Sequence, residues 1–153
     1  MLVNQILALK DGSDKPSVNA RAILTIAPDA TVGQAAQHLA EHRIGAIVVS
    51  SDGKRPEGIV SERDIVRQIG KNGPSVLDLK VSDIMTAKVQ TCIVSDDALD
   101  ILNRMTQGRF RHLPVVNEAG EMIGVVSIGD AVSGRLKELA AEKEALTGMI
   151  MGN

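Results

Sequence analysis

Gly58-Ile59-Val60-Ser61-Glu62-Arg63-Asp64 occurs a second time, sixty-six residues further along, as Gly124-Val125-Val126-Ser127-Ile128-Gly129-Asp130. Each copy begins with a glycine and an apolar pair typical of the end of a strand, and then runs as Ser-x-x-Asp into a helical pattern. The serine is placed to cap that helix, and the aspartate falls in its first turn. The duplicated stretch therefore predicts two equivalent junctions between a strand and a helix.

Such junctions suit a particular ligand chemistry. The start of a helix carries N–H groups without intrahelical partners and a partial positive charge, so it favours anions. A carboxylate in the first turn can accept two hydrogen bonds, as the diol of a ribose would offer. This pairing indicates a nucleotide site, present twice. The alternative is that Ser-x-x-Asp only caps each helix, with no ligand involved.

The repetition extends well beyond the two junctions. Shifting the chain by sixty-six residues aligns its halves without a gap, with the same order of predicted elements: strand, helix, strand, strand, helix. Eight positions between 25 and 66 have an identical counterpart: Thr25/Thr91, Arg43/Arg109, Val49/Val115, Gly58/Gly124, Val60/Val126, Ser61/Ser127, Asp64/Asp130 and Val66/Val132. We therefore expect an internal duplication with a pseudo-two-fold axis, in which two small sheets bury their apolar faces together.

Composition narrows the class of protein. With 44% apolar and 24% charged residues in 153, the chain should be globular, and a net charge of −2 argues against a general nucleic-acid or anionic-membrane binder. A single cysteine and three histidines leave little for a structural zinc site. Because Phe110 is the only aromatic residue, we expect any base to stack on aliphatic side chains. The first residues lack the pattern of a signal peptide and no apolar run could span a bilayer, so we expect a cytoplasmic protein.

The repeats divide the chain into five parts. Residues 1–19 are predicted to hold a short helix over 2–9 and a polar linker from residue 10. The repeats occupy 20–70 and 81–135, with a linker at 71–80 and a C-terminal helical extension at 136–153. In the second repeat, Val89 to Ile93 is expected to be extended, and Gly108 to end the first helix.

The C-terminal extension carries a stripe of mostly apolar residues at alternating spacings of four and three. Its members are Val132, Leu136, Leu139, Lys143, Leu146 and Ile150. One interpretation is a helix packed on its own domain. The other is a contact between two copies of the chain, made together with the N-terminal helix.

The chain resembles a known family, the tandem cystathionine-beta-synthase (CBS) domain pair, or Bateman module, in its stand-alone bacterial form. The resemblance rests on the stretches 58–64 and 124–130, on Asp83-Ile84-Met85-Thr86, and on Arg111-His112-Leu113-Pro114-Val115-Val116. It implies an α+β fold of two β-α-β-β-α repeats packed sheet to sheet, and modules that pair as flat homodimers. It also implies clefts that bind adenine nucleotides such as AMP, ADP, ATP, NAD or S-adenosylmethionine.

The resemblance also assigns roles to residues. Asp64 and Asp130 would hold ribose hydroxyls, and Ser61 and Ser127 would face the ribose or phosphate. Other residues would bond the adenine edge through their backbones or line the clefts: Thr25, Ile26, Ala27, Thr91, Cys92 and Ile93 for the backbone contacts, and Ala46, Val48, His112 and Pro114 for the lining.

Basic residues are the candidates for contacts with phosphate, since a guanidinium group binds phosphate through two hydrogen bonds. They are Arg63, Arg109, Arg111 and His112. The two clefts should differ, because Gly45 and Ala46 stand in the first repeat where Arg111 and His112 stand in the second. A solvated edge for the arginines, and packing for the histidine, are the alternatives.

Three functions follow from these observations. The first is a regulatory module that senses an adenine nucleotide and signals to an unidentified partner protein, either through a hinge at 71–75 or through the C-terminal helix. The second is a scaffold with vestigial sites. The third is a nucleotide hydrolase, against which stands the absence from the sequence of a phosphate loop and of a catalytic constellation. We expect the first, with no metal and no catalytic residue.

Overall fold

The computed structural model describes residues 1–10 and 23–151. Most of the polar linker predicted from residue 10, and the start of the first repeat, lie outside these residues. The described elements, in chain order, are α1 (Val3–Lys10), β1 (Thr25–Ile26), α2 (Val32–His42), β2 (Ala46–Val49), β3 (Gly58–Ser61), α3 (Glu62–Asn72), a 3-10 helix (Pro74–Asp78), α4 (Val81–Ile84), β4 (Thr86–Ala87), α5 (Ala98–Gly108), β5 (His112–Val116), β6 (Met122–Ser127) and α6 (Ile128–Ile150).

The strands form two small sheets, one for each repeat. The first sheet has the order β1-β2-β3-β4, with β1 parallel to β2 and the remaining neighbours antiparallel. The second sheet is the antiparallel pair β5-β6. The predicted extended opening of the second repeat is reduced to one parallel bridge, between Cys92 and Val115. That bridge is the counterpart of the pair Ile26 and Val49 in the first repeat, so the predicted α+β duplication is confirmed.

Each sheet packs its helices on one face and has its own core. Along β2, Ile47 and Val49 point to the helices and belong to the core of the first repeat. Val48 points to the opposite face, yet it is only 1% exposed. Pro114 is its equivalent in β5 and is buried as well. Burial on both faces is what packing of one sheet against the other requires.

Two arginines end equivalent helices in the same unusual conformation. Arg43 follows α2 with a φ of 52°, and Arg109 follows α5 with a φ of 57°. Both lie in the left-handed region, where most residues other than glycine are rare. Gly108 was expected to end its helix, and it is the last residue of α5; the left-handed residue that reverses the chain is Arg109, one position later.

The segment in front of each repeat packs on the other repeat. The N–H of Val81 donates to Ala30 O at 2.8 Å, and the N–H of Val3 donates to Asp96 O at 2.9 Å. Val3 and Val81 are both completely buried. Asp96 is the counterpart of Ala30, so the two lead-in segments make equivalent contacts. Residues 79–85 therefore close the first repeat, and residues 1–7 close the second.

The segment 71–80, expected to be a linker, is folded against the first repeat. Residues through Asn72 continue α3, and the 3-10 helix that follows packs on α2 and α3. Its Val76 is only 2% exposed. A free hinge at 71–75 is therefore not what the structure shows.

Helix α6 packs only through its first turns. Ala131 and Gly134 are buried there, and contacts are made with α1, α5 and β6. Beyond them the predicted stripe is exposed, to 61% at Leu136 and 58% at Leu146. In the described residues no helix is both long and apolar enough to cross a membrane.

Candidate functional site

A cavity of about 460 Å³ lies where the two repeats meet. Its size is within the range usual for small-molecule sites. Its wall is formed by Gly45, Ala46, Ile59, Ser61, Glu62, Arg63, Asp64, Arg67, Thr86, Arg109, Phe110, Arg111 and His112. Gly45 and Ala46 line it together with Arg111 and His112, the residues at the equivalent positions of the second repeat. The cavity therefore lies close to the axis that relates the repeats.

Side chains from both repeats lie beside Gly45. A Cβ atom at position 45 would lie 3.5 Å from His112 Nε2 and 3.7 Å from Glu62 Oε1. Both distances are those of ordinary contact, so His112 and Glu62 face the main chain of Gly45 directly. The cavity thus has a wall from each repeat.

The N-terminus of α3 forms one side of the cavity. Asp64 Oδ2 accepts hydrogen bonds from Ser61 N and Ser61 Oγ, both at 2.9 Å, while Asp64 N donates to Ser61 Oγ at 3.2 Å. This is a complete capping box, so the capping role considered from the sequence is real. It occupies Oδ2, and no hydrogen bond to Oδ1 occurs among the described residues. One carboxylate oxygen is therefore left for a ligand.

Four arginines converge on the same cavity: Arg63, Arg67, Arg109 and Arg111. All four side chains are exposed, and none forms an ion pair within the described part of the chain. Against them stand only Glu62 and Asp64, so the wall carries a net positive charge. Repulsion among the guanidinium groups is relieved when an anion binds between them. Sequence alone left open whether these groups meet, and the fold brings them together.

Six lining residues were not among the predicted site residues: Gly45, Ile59, Glu62, Arg67, Thr86 and Phe110. Arg67 follows Arg63 by one helical turn, so the spacing of four on α3 could have indicated it. Glu62 lies beside them at the start of α3. Phe110 stands between the two predicted arginines, and its ring contributes to the wall. The expectation that a base would stack on aliphatic side chains did not take into account that Phe110 lies in the wall.

Several predicted site residues do not line this cavity. They are Thr25, Ile26, Ala27, Val48, Thr91, Cys92, Ile93, Pro114, Ser127 and Asp130. Ser127 and Asp130 form the same cap on α6, with Ser127 N donating to Asp130 Oδ2 at 2.8 Å. The side chains of Ile26 and Cys92 belong to the two cores instead.

The backbone of the second opening is already engaged within the chain. Cys92 N donates to Pro114 O, and Cys92 O accepts from Val116 N, both at 2.9 Å. Ile93 N donates to Asp96 Oδ2 at 2.9 Å. An adenine edge would have to displace or share these bonds, so the structure gives no support to that role for Cys92 and Ile93. Burial also raises the pKa of the Cys92 thiol to about 12, which keeps it protonated and unreactive.

In this fold the segment before each repeat packs on the other repeat, and a basic cavity lies close to the axis between them. These features define a tandem-repeat module with a site between its repeats. The family model "CBS domain" matches residues 17–71 and 81–136. This chain belongs to the CBS domain family.

Known proteins agree with this assignment. The chain is 38% identical over 128 residues to the mitochondrial CBS domain-containing protein CBSX3 of Arabidopsis thaliana, covering 81% of this chain and 62% of that protein. The chain thus spans about three-fifths of that relative's length. A crystal structure of a CBS-domain containing protein from Agrobacterium tumefaciens superposes with a TM-score of 0.77 at 35% identity, covering 88% of this chain and 99% of the other. The structure of a CBS domain protein from Pyrobaculum aerophilum complexed with AMP superposes with a TM-score of 0.65 at 32% identity, covering 74% of this chain and 86% of the other.

Proposed function

We propose that this chain is a regulatory module that binds an adenine nucleotide in the cavity between its repeats. The observation that carries the proposal is the convergence of four guanidinium groups on a cavity that also contains the N-terminus of α3. None of the four has an ion-pair partner among residues 1–10 and 23–151. Both features favour a phosphorylated ligand. The relative from Pyrobaculum aerophilum that binds AMP has the same fold and makes adenine the first choice of base.

The chemistry of the wall suggests how such a ligand would lie. The second oxygen of Asp64 would accept a hydrogen bond from a ribose hydroxyl. The guanidinium groups, two from each repeat, would hold the phosphate from opposite sides. Ile59 and Phe110 supply apolar surface to the same wall. A ligand bound in this way contacts both repeats at once.

Charge should discriminate among the candidate ligands. AMP, ADP, ATP and NAD are anions, whereas S-adenosylmethionine carries a sulfonium cation. A wall with four arginines and two carboxylates favours the anions, and most of all those with several phosphates. We therefore expect ADP and ATP to bind more tightly than S-adenosylmethionine.

Isothermal titration calorimetry with AMP, ATP, NAD and S-adenosylmethionine tests the proposal. Arg63→Gln and Arg111→Gln should each weaken binding by roughly ten- to a hundredfold, the value of a charged hydrogen bond. Lys71→Gln removes an exposed cation that does not line the cavity, and it should leave binding unchanged. Absence of saturable heat with any of the four compounds, from a folded protein, would favour the scaffold function instead.

A matched pair of variants separates binding from folding. Asp64→Asn and Asp130→Asn change the same position of the same capping box, so each should lower stability to a similar extent. Only Asp64 lines the described cavity. A loss of affinity confined to Asp64→Asn supports a site there. Equal losses would point to a general effect of destabilisation or to a second occupied site, which the stoichiometry of the titration distinguishes.

We further propose that two copies associate through the apolar stripe of α6. Within the described residues Leu139 on this stripe is 43% exposed, and its neighbours Leu136 and Leu146 are 61% and 58% exposed, which favours the second of the two interpretations of the stripe. Light scattering coupled to size exclusion should show a dimer that Leu139→Glu dissociates. Leu99→Glu alters a leucine of similar exposure on α5 and should leave the dimer intact.

Helix α6 is also the better candidate for signalling to a partner protein in the cytoplasm. It begins at the Ser127 cap of the second repeat and extends beyond the folded core, whereas the segment after α3 is packed. A nucleotide shifts such an element only to the extent that it binds one arrangement more tightly. Hydrogen exchange along α6, compared with and without ATP, measures that shift.

A further inference from the structure

We propose that the C-terminal turn of α2 is a binding site for a divalent transition-metal ion such as Zn²⁺, held by His38, Glu41 and His42. The site is separate from the cavity and does not depend on the proposed nucleotide function. The three residues occupy positions i, i+3 and i+4 of one helix, so their side chains share one face. One ligand atom from each lies within 4.8 Å of the other two.

The geometry is close to that of a metal site. Ligand atoms on a tetrahedral Zn²⁺ lie about 3.3 Å apart, as bond lengths near 2.0–2.1 Å require. Glu41 and His42 are exposed, so rotation of their side chains can close the remaining gap. The two imidazole rings already stand side by side, with centroids 6.1 Å apart and planes inclined by 20°. Two imidazoles and one carboxylate form a donor set that suits zinc, nickel or copper, and a fourth position stays open to water.

The surroundings favour a cation at this position. The C-terminal end of a helix carries a partial negative charge, and the last turn of α2 contains His42. Gln37 Nε2 donates to Glu41 Oε1 at 3.0 Å, which orients the carboxylate as the outer partners of metal ligands do. The opposite oxygen of Glu41 remains for the ion.

The internal duplication shows that His38 does not serve the role of its counterpart in the second repeat. Arg104 is the counterpart of His38, and it holds the second repeat's opening through a 2.7 Å hydrogen bond to Thr91 O. Within the described part of the chain, His38 makes no such bond, and its buried Nδ1 has no hydrogen-bond partner. A polar atom left in this state is costly unless something else uses it or fixes its ring. The counterparts of Glu41 and His42 are Gln107 and Gly108, so the second repeat lacks the donor set.

The test is a titration of the full, untagged chain with Zn²⁺ and Ni²⁺ by calorimetry, in the absence of nucleotide. We expect one ion per chain, and Co²⁺ should give the visible absorption of a four- or five-coordinate site. His42→Ala and Glu41→Gln should each weaken binding by at least about tenfold, because even the loss of an outer partner costs 10- to 100-fold.

Two controls make the result specific. His112→Asn removes the histidine of the cavity, and Gln107→Ala changes the position on α5 that matches Glu41. Both should bind as the unmodified chain does. Circular dichroism confirms folding of each variant, and Glu41→Gln preserves the shape of the side chain. The proposal is overturned if no saturable binding occurs at millimolar Zn²⁺ or Ni²⁺, or if His42→Ala and Glu41→Gln bind both ions unchanged.

Discussion

Alanine at Gly58 should be far more destabilising than alanine at the equivalent Gly124. A Cβ at position 58 would lie 2.4 Å from Met85 Sδ, 3.0 Å from Met85 Cγ and 3.1 Å from Thr86 O. The last of these is a backbone atom of β4 and cannot rotate away. A Cβ at position 124 would lie 2.8 and 3.2 Å from the two terminal methyl groups of Leu7, which can rotate. The two glycines therefore differ in what must move.

The expected free energies follow from these contacts. Overpacking typically costs about 1–3 kcal/mol, and we assign the upper part of that range to Gly58→Ala and the lower end to Gly124→Ala. Neither glycine has a positive φ, so replacement by alanine adds no backbone strain. It also restricts the unfolded chain, which stabilises by about 0.4–1 kcal/mol. The net loss of unfolding free energy should be about 2 kcal/mol for Gly58→Ala and close to zero for Gly124→Ala.

Urea denaturation followed by far-ultraviolet circular dichroism measures both values, since the chain has no tryptophan to serve as a fluorescent probe. A double-mutant cycle of Gly58→Ala with Met85→Ala adds a direct test of the clash. Removing the side chain of Met85 should relieve part of it and give a coupling energy of about 1 kcal/mol or more. Equal costs for the two glycines, or additive effects in the cycle, would refute the assignment of the lead-in segment 79–85 to the first repeat.

Three further predictions concern single groups. Cys92 is 2% exposed, and burial raises the pKa of its thiol to about 12, so it should react with a thiol reagent at pH 8 only after unfolding. The contribution of this thiol to stability is complete below pH 9 and is lost as the pH rises toward 12. The pKa of Asp52 is lowered to about 2 by hydrogen bonds from the N–H groups of Arg55 and Lys54 and from the Ser50 hydroxyl, and an NMR titration should find it near that value. The contribution of Asp52 to stability is present above pH 3.8 and should be lost as the pH falls through about 2. Arg104→Ala should lower the unfolding free energy, measured by urea denaturation, by about 1–2 kcal/mol, because Thr91 O loses its hydrogen bond. His38→Ala, measured with a metal chelator present, should lower it less, because no corresponding hydrogen bond of His38 occurs in the described residues. A larger loss for His38→Ala would contradict the comparison.

Local patterns in the sequence were sufficient for the duplication and its caps. Ser61 and Ser127 lie where the Ser-x-x-Asp pattern places a helix start, and both capping boxes are complete in the structure. A cap involves residues only three positions apart, so it can be derived without knowledge of the fold. The nearly continuous apolar runs at 44–49 and 113–116 are local in the same sense, and they predicted the two buried strands β2 and β5.

The set of side chains that lie together at the axis between the repeats depends on the tertiary structure. Phe110 and Arg111 come from the second repeat and Arg67 from the first, and no spacing in the chain joins them. The exchange of lead-in segments was also hidden, because Val3 precedes Val81 by seventy-eight residues while the repeats are sixty-six apart. A shift that aligns the repeats therefore misaligns the segments that close them. The positions of these groups depend on packing between distant parts of the chain, whereas the helix caps and the duplication follow from residues close together in the sequence or from its repetition.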